Sequence, residues 1–455
     1  MVIPAALLLS IQNVQGFHEE SFLQVHAAQQ PPTSIRINAA KWDKVTLPFA
    51  SSGIVPWCST GYFLPQRPSF SQDPLWHAGA YYVQEASSMA LQLVFDQLVP
   101  FAQQSSLKVL DLCAAPGGKS THVLSMLRPT DVLVSNEVIG SRVNILLENI
   151  TRWGAAHTIV TNNDPADFTP LQGLFDVMVI DAPCSGSGLF RRDPQAIEEW
   201  SEPAVEKCRQ RQERILADAW PALKEDGILV YTTCSYSPSE NEQMVDWMHD
   251  HFECASLQVQ TDPSWGIVET ASPKHGHKCY RFFPNLVRGE GFFMAIFQKK
   301  EPVQEMIFPK KKVNAKQEIP TASLMKEWVQ ETGALQLYKH KDTLYAMPTE
   351  TYELFLGLQD ALRIRKAGVC LGEWMHNGLQ PDHALAMSHL LHPSIHRVEL
   401  SLPDALQFLR KETVVVEAST KGWMLATYEA IPLGWIKHLG NRTNNYYPKE
   451  WRLRK

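Results

Sequence analysis

Two cysteines stand in short polar loops, each directly after an apolar run. Cys184 follows Asp181, Ala182 and Pro183 and leads into Ser-Gly-Ser-Gly at 185–188, whereas Cys234 lies between Thr233 and Ser235. The runs before them, Phe-Asp-Val-Met-Val-Ile at 175–180 and Gly-Ile-Leu-Val-Tyr at 227–231, read as buried strands. Successive strands of a parallel α/β sheet end at one edge, where ligands bind. Two thiols at that edge can face one substrate atom, and a thiolate there can form a covalent bond to it.

A third element surrounds a ligand rather than attacking it. Leu-Lys-Val-Leu-Asp-Leu at 107–112 is another apolar strand, and it runs into Cys113, Ala114, Ala115, Pro116, Gly117, Gly118, Lys119 and Ser120. The Gly pair allows close approach of backbone to ligand, and the following helix aims its amide dipoles at the loop. It is not a Walker A loop, whose first Gly would fall at Cys113, and Gly-x-Gly-x-x-Gly spacing is missing. Two more strands are expected, at 132–136 ending in Glu137 and at 158–163 ending in Asp164. A carboxylate at the Glu137 position suits a ribose diol.

The elements that must position these groups form a doubly wound α/β sheet. Around it, the motifs at 111–119, 181–184 and 233–235 resemble, in order, those of the Nop/Sun family of S-adenosylmethionine-dependent RNA 5-methylcytosine methyltransferases. The resemblance spans roughly residues 1–300, including 31–38, 79–89, 281–284 and 291–297. It implies a Rossmann-like class I methyltransferase domain with a mixed α/β N-terminal lead-in. It also implies a cytosine target, whose carbon-5 becomes nucleophilic once a thiolate adds to carbon-6. In the family the cysteine matching Cys234 is that nucleophile, and the one matching Cys184 assists product release. DNA cytosine-5 methyltransferases use a Pro-Cys nucleophile instead, here Cys184; chemistry alone does not separate the thiols, and the Thr-Cys-Ser resemblance favours Cys234.

The remaining roles carry over by position. Asp181 is expected to hydrogen-bond the base and to lie near the methyl donor. Lys119 either lowers a thiol pKa or holds the target. Residues 113–119 are expected to wrap the methionine part and ribose of S-adenosylmethionine, Glu137 to take the ribose hydroxyls, and Asp164 to sit near the adenine. Arg142 is either a further cofactor contact or an exposed helix residue.

The chain has 455 residues, 44% of them hydrophobic, enough for two or three cored domains. No run matches a membrane-spanning helix, and the apolar stretch at 1–10 lacks the basic start of an export signal. Eight scattered cysteines without framework spacing suit a reducing cytoplasm. Cys58, Cys208, Cys254, Cys279 and Cys370 read as buried small hydrophobes. A formal net charge of −6 confines any nucleic-acid footprint to local patches. Residues 434–455 offer one, with six Lys/Arg against one Glu and Trp435, Tyr446, Tyr447 and Trp451 interleaved. Either these aromatics stack on RNA, or they are core residues of a solvated tail.

Four segments are expected: an RNA-binding lead-in at 1–100, the methyltransferase domain at 101–300, a linker at 301–321 and a C-terminal region at 322–455. Residues 193–223 read as helical, punctuated by Pro194, Pro203 and Pro221, and Lys310–Lys312 as a solvated charge run. In the last segment 326–337 looks helical, and 344–347 and 414–416 look like strands. The stretches at 368–374 and 379–388 resemble the RsmF branch of the family, which implies a PUA-like RNA-binding module acting on small-subunit ribosomal RNA. Deleting it is expected to spare cofactor affinity. No metal is expected: His275 and His277 with Cys279 lack a second ligand pair. The expected function is S-adenosylmethionine-dependent methylation of carbon-5 of a cytosine in 16S ribosomal RNA, by a monomer with RNA as partner and no membrane. Transfer RNA as substrate, or a non-catalytic ribosome assembly factor, are the alternatives.

Overall fold

The computed structural model describes residues 2–42, 47–99, 106–308, 319, 321–330, 333–376, 378–416 and 420–454. Its centre is a sheet in which, among the described residues, five parallel strands run in the order Leu223–Thr233, Phe175–Asp181, Lys108–Asp111, Val132–Asn136, Thr158–Thr161. Lys108–Asp111 comes first along the chain yet has later strands on both sides, so the loop leaving it opens at a topological switch point. Phe292–Lys299 adds antiparallel to Leu223–Thr233 and carries Lys278–Phe282 and Cys254–Leu257 beyond it. Buried on both faces, the parallel strands read as continuous apolar runs rather than alternating ones.

Helices cover both faces for reasons visible in their spacing. Gly140–Trp153 buries Val143, Leu146, Ile150 and Trp153 along one stripe. The proline-punctuated stretch resolves into Gln195–Glu199 and Glu202–Ala219. Ser201 caps the second helix and Pro203 sits in its first turn, where a missing N–H costs nothing. A small antiparallel sheet of Gly53–Ile54, Gly61–Leu64, Thr33–Ile37 and Tyr81–Val83 precedes this domain. Fully buried Arg36 docks it, donating to Gln84, Ser125 and Thr121.

The C-terminal region is not a separate unit on a tether. Ile364–Ala367 pairs antiparallel with Thr158–Thr161 and extends the central sheet. Met347, Tyr352, Leu354, Leu358 and Leu362 share a core with Val132, Val134 and Ile159. His389 N–H donates to the Gly154 carbonyl at 3.0 Å. Gly154 ends its helix at φ +91°, where a Cβ would meet the Met387 carbonyl oxygen at 2.3 Å. Leu400, Phe408 and Tyr447 pack with Ile35, Trp42 and Tyr81 of the N-terminal segment.

Several sequence expectations are corrected here. The helix expected at 326–337 instead runs Thr321–Glu327, so only residues 326 and 327 of that stretch lie in it, and Leu335–His340 hairpins with Thr343–Pro348. The alternation of Leu335 and Leu337 with Gln336 and Tyr338 is the strand period, which the flanking residues obscured. Residues 414–416 form no strand; Val414 is buried but Val415 is 90% exposed, and no sheet edge is offered to them. Trp435 and Tyr447 are fully buried, so these two aromatics belong to the core and are closed to RNA. Lys310–Lys312 lie outside the described residues. Cys58, Cys254 and Cys279 are buried, Cys208 and Cys370 half-buried, and all are free thiols. No described helix is long and apolar enough to cross a membrane.

Candidate active site

The two thiol loops leave adjacent strands, and their registers bring them together. Phe175–Asp181 pairs with Leu223–Thr233 so that Asp181 lies opposite Thr232. Past those ends, Gly188 N–H donates to the Cys234 carbonyl at 2.8 Å. A Cβ at Gly188 would meet the Gly291 and Cys234 carbonyl oxygens at 2.5 and 2.7 Å, so only glycine fits between the loops. The result is a Cys184 Sγ to Cys234 Sγ distance of 3.2 Å. The hydrogen bond with Cys234, then burial, push the Cys184 thiol well above its ordinary pKa, and this cysteine stays protonated at neutral pH.

Beside the thiols, Lys119 Nζ pairs with Asp181 Oδ2 at 2.8 Å, while Thr232 donates to Asp181 Oδ1 at 2.9 Å. Burial opposes the Lys119 charge, but Asp181 outweighs it and raises the ammonium pKa. The Asp181 side chain keeps 38% of its surface exposed, so a ligand can reach it. Four of the sequence-named residues thus form one cluster.

The cofactor candidates line the switch-point loop. Ala114 N–H donates to the Asn136 carbonyl at 2.8 Å, and Arg142 donates to the Ala115 carbonyl at 2.5 Å. Arg142 also faces Glu137 Oε2 at 3.4 Å, while Glu137 Oε1 accepts the Ile139 N–H. Arg142 therefore holds the loop to Glu137 and is half-exposed as well. Asp164 lies past the end of its strand: it caps the turn Pro165–Phe168 and pairs with Arg214 at 3.1 Å. Asn136 was overlooked from sequence. Buried at the strand end, it donates to the carbonyls of Leu112 and Asn163 and accepts from Thr161 and Asn163, locking three strand-end loops.

Asp111 tests whether this loop suits a polar ligand. Its carboxyl is fully buried; Oδ2 accepts the Ser120 hydroxyl at 2.6 Å, whereas Oδ1 has no partner. Burial pushes its pKa up to about 7. An unpaired buried carboxyl oxygen below the loop, with Glu137 at the next strand end, fits a cofactor bearing an amino acid and a ribose. At the far edge of the sheet, His275 bonds Asp250 at 2.8 Å and its ring clusters with those of His249 and His277.

The family model for the 16S rRNA methyltransferase RsmB/F matches residues 98–298, that for the N-terminal domain of 16S rRNA methyltransferase RsmF residues 3–86, and that for the methyltransferase RsmF PUA domain residues 395–453. Ribosomal RNA small subunit methyltransferase F of Erwinia tasmaniensis is 30% identical over 413 residues, covering 87% of this chain and 84% of its own. The chain belongs to the RsmB/F methyltransferase family.

Its Escherichia coli relative of the same name is 28% identical over 459 residues, covering 94% and 92% of the two chains. A methyltransferase homolog from Pyrococcus horikoshii is 25% identical with a TM-score of 0.50, covering 65% of this chain and all of its own. NSun6 from the same organism, solved with SFG, shares the fold at 19% identity and a TM-score of 0.52, covering 66% and 98%. S-adenosylmethionine is the cofactor of this fold and family. Asp111, the loop 113–119 and Glu137 could hold it. The PUA match begins at residue 395, so residues 322–394, with the strand Ile364–Ala367, lie outside it.

Proposed function

We propose that the protein methylates carbon-5 of a cytosine in 16S ribosomal RNA in the cytoplasm, through a covalent adduct on Cys234. The observation that carries this reading is the 3.2 Å approach of two thiols beside the Lys119–Asp181 pair. Cys234 Sγ bonds to carbon-6 while Asp181 hydrogen-bonds the ring and stabilises the charge it gains. Lys119 holds Asp181 in orientation through their 2.8 Å contact. When bound at the loop, S-adenosylmethionine supplies the methyl group that carbon-5 accepts. Transfer of the carbon-5 proton to water re-forms the carbon-5–carbon-6 double bond as the sulfur–carbon bond breaks, the electron pair of that bond returning to Cys234, and Cys184 assists this release. The target base must leave its stack, at a cost of a few kcal/mol that is least in an open loop.

The thiol assignment is tested with Cys184→Ala and Cys234→Ala, purified from cells and run on denaturing gels with and without nuclease. Cys184→Ala is expected to accumulate a nuclease-sensitive protein–RNA adduct and Cys234→Ala none. Sequencing the trapped RNA identifies the substrate, and 16S RNA is expected. Trapping by Cys234→Ala alone would reverse the two roles.

A further inference from the structure

Glu240 takes no part in the chemistry above, yet it is fully buried between the two thiol loops. Its Oε1 accepts the Ser185 N–H at 2.7 Å. Its Oε2 accepts the hydroxyls of Ser185 at 2.6 Å and Ser235 at 2.5 Å. Ser185 directly follows Cys184, and Ser235 directly follows Cys234. One carboxylate therefore joins loops from two different strands at the residues next to both thiols. Burying a carboxylate is costly unless its oxygens are well paired, and here the pairing is spent wholly on these two loops.

The loops are unequally held without it. Asn241 donates to the Ser235 carbonyl at 2.8 Å and accepts from Thr233 at 2.6 Å, bracketing Cys234 on both sides. On the other loop, Gln212 donates to the Pro183 carbonyl at 3.0 Å before the thiol. Immediately after the thiol, the polar contacts of Ser185 are to Glu240 and, at 3.2 Å, to the Ser235 hydroxyl that Glu240 itself holds. The next ties on this loop come three and four residues past Cys184, where Ser187 accepts the Tyr236 N–H at 2.8 Å and Gly188 N–H donates to the Cys234 carbonyl, so loss of Glu240 would loosen Cys184 more than Cys234.

We infer that Glu240 is a positioning residue that clamps the Cys184 thiol against Cys234, so that removing it impairs release of the adduct more than its formation. The release part rests on the covalent reading proposed above; the clamp does not.

Two measurements on the full-length protein separate these. The first needs no RNA. Diamide takes two electrons and two protons from the thiol pair, forming one S–S bond and becoming the hydrazine, and the Cys184–Cys234 disulfide peptide is followed by mass spectrometry. Glu240→Ala is expected to slow its formation about tenfold or more, since misplacement by an ångström can cost about a hundredfold. Glu240→Gln, which keeps the size and an acceptor for the Ser185 N–H, is expected to restore most of the rate.

The second measurement adds S-adenosylmethionine and 16S ribosomal RNA. Glu240→Ala is expected to accumulate covalent adduct as Cys184→Ala does, whereas a merely misfolded variant would lose adduct and turnover together. Should Glu240→Ala fail to fold, the Ser185→Ala/Ser235→Ala double variant removes the two hydroxyl bonds to Oε2 while the Ser185 N–H bond to Oε1 stays, and a smaller slowing, about threefold or more, is expected. Disulfide formation at the wild-type rate in these variants overturns the clamp. Slowed disulfide formation without adduct, where Cys184→Ala does trap RNA, overturns the link to release. Slowed disulfide formation with no adduct in any variant upholds the clamp and refutes the covalent reading instead.

Discussion

Cutting the chain after residue 320 is expected to unfold the methyltransferase domain rather than merely weaken RNA binding. Met347, Tyr352, Leu354, Leu358 and Leu362 are all buried in the core beneath the catalytic sheet. At ~1.5–3 kcal/mol for each such side chain, their burial contributes about 10 kcal/mol, comparable to the ~5–15 kcal/mol net stability of a whole domain. The cut also strips Ile364–Ala367 from Thr158–Thr161 and leaves an apolar strand as an open edge. A graded version is Leu358→Ala, fully buried in wild type, with an expected cost of ~2–5 kcal/mol. The assay is urea unfolding followed by fluorescence and circular dichroism, with calorimetric titration of S-adenosylmethionine. In Leu358→Ala both probes should shift together, because the C-terminal region and the sheet share one core. A monomeric fragment of residues 1–320 with the wild-type urea midpoint and cofactor affinity would refute the reasoning.

Three further outcomes follow from buried contacts. Arg281 pairs with Glu242 at 2.5 and 2.6 Å, both side chains buried, so Arg281→Met should cost ~3–5 kcal/mol in urea unfolding by stranding the carboxylate, and adding Glu242→Gln should recover part of it. Gly154→Ala should destabilise by ~1–3 kcal/mol from left-handed strain alone, with the clash against the Met387 carbonyl added to that, read as a lowered melting temperature. Burial lowers His157 to about 4, and His383 and His389 to about 3, where the C-terminal region meets the rest of the chain. Unfolding releases these imidazoles to protonate near pH 6.5, so their stabilising effect is complete above that value and is lost as pH falls towards 4 and 3. The loss is at most about 1.4 kcal/mol per pH unit for each histidine; Asp111 and Glu290, both raised to about 7, pull the other way in the same window, so the test is His383→Gln, and a urea midpoint that falls between pH 7.5 and 5.5 as much as in wild type would contradict it.

How much was legible in the sequence depended on the range of the interactions. Residues 107–112, 175–180 and 227–231 are long apolar runs punctuated by polar loops, and that pattern is local. The order of the loops along a parallel sheet then places Cys113–Lys119, Asp181, Cys184 and Cys234 at one edge without knowledge of any contact. Asn136 and Glu240 were not legible, since a lone Asn or Glu carries no signal until its partners from three loops, or from two, are known. The stretch at 326–337 was misread because it joins the end of a helix to the start of a hairpin, and only pairing with Thr343–Pro348 selects the strand.

The sequence by itself determined the pair of strand-end thiols, the glycine loop and the class of fold that presents them, because strand period, turn residues and motif order act between near neighbours. Only the tertiary structure decided that Trp435 and Tyr447 face a core rather than RNA, that Asp164 caps a turn beside Arg214, and that Ile364–Ala367 completes the catalytic sheet. The physical reason is that burial and edge pairing are properties of the surface an element meets. That surface is supplied by residues 50 to 370 positions away.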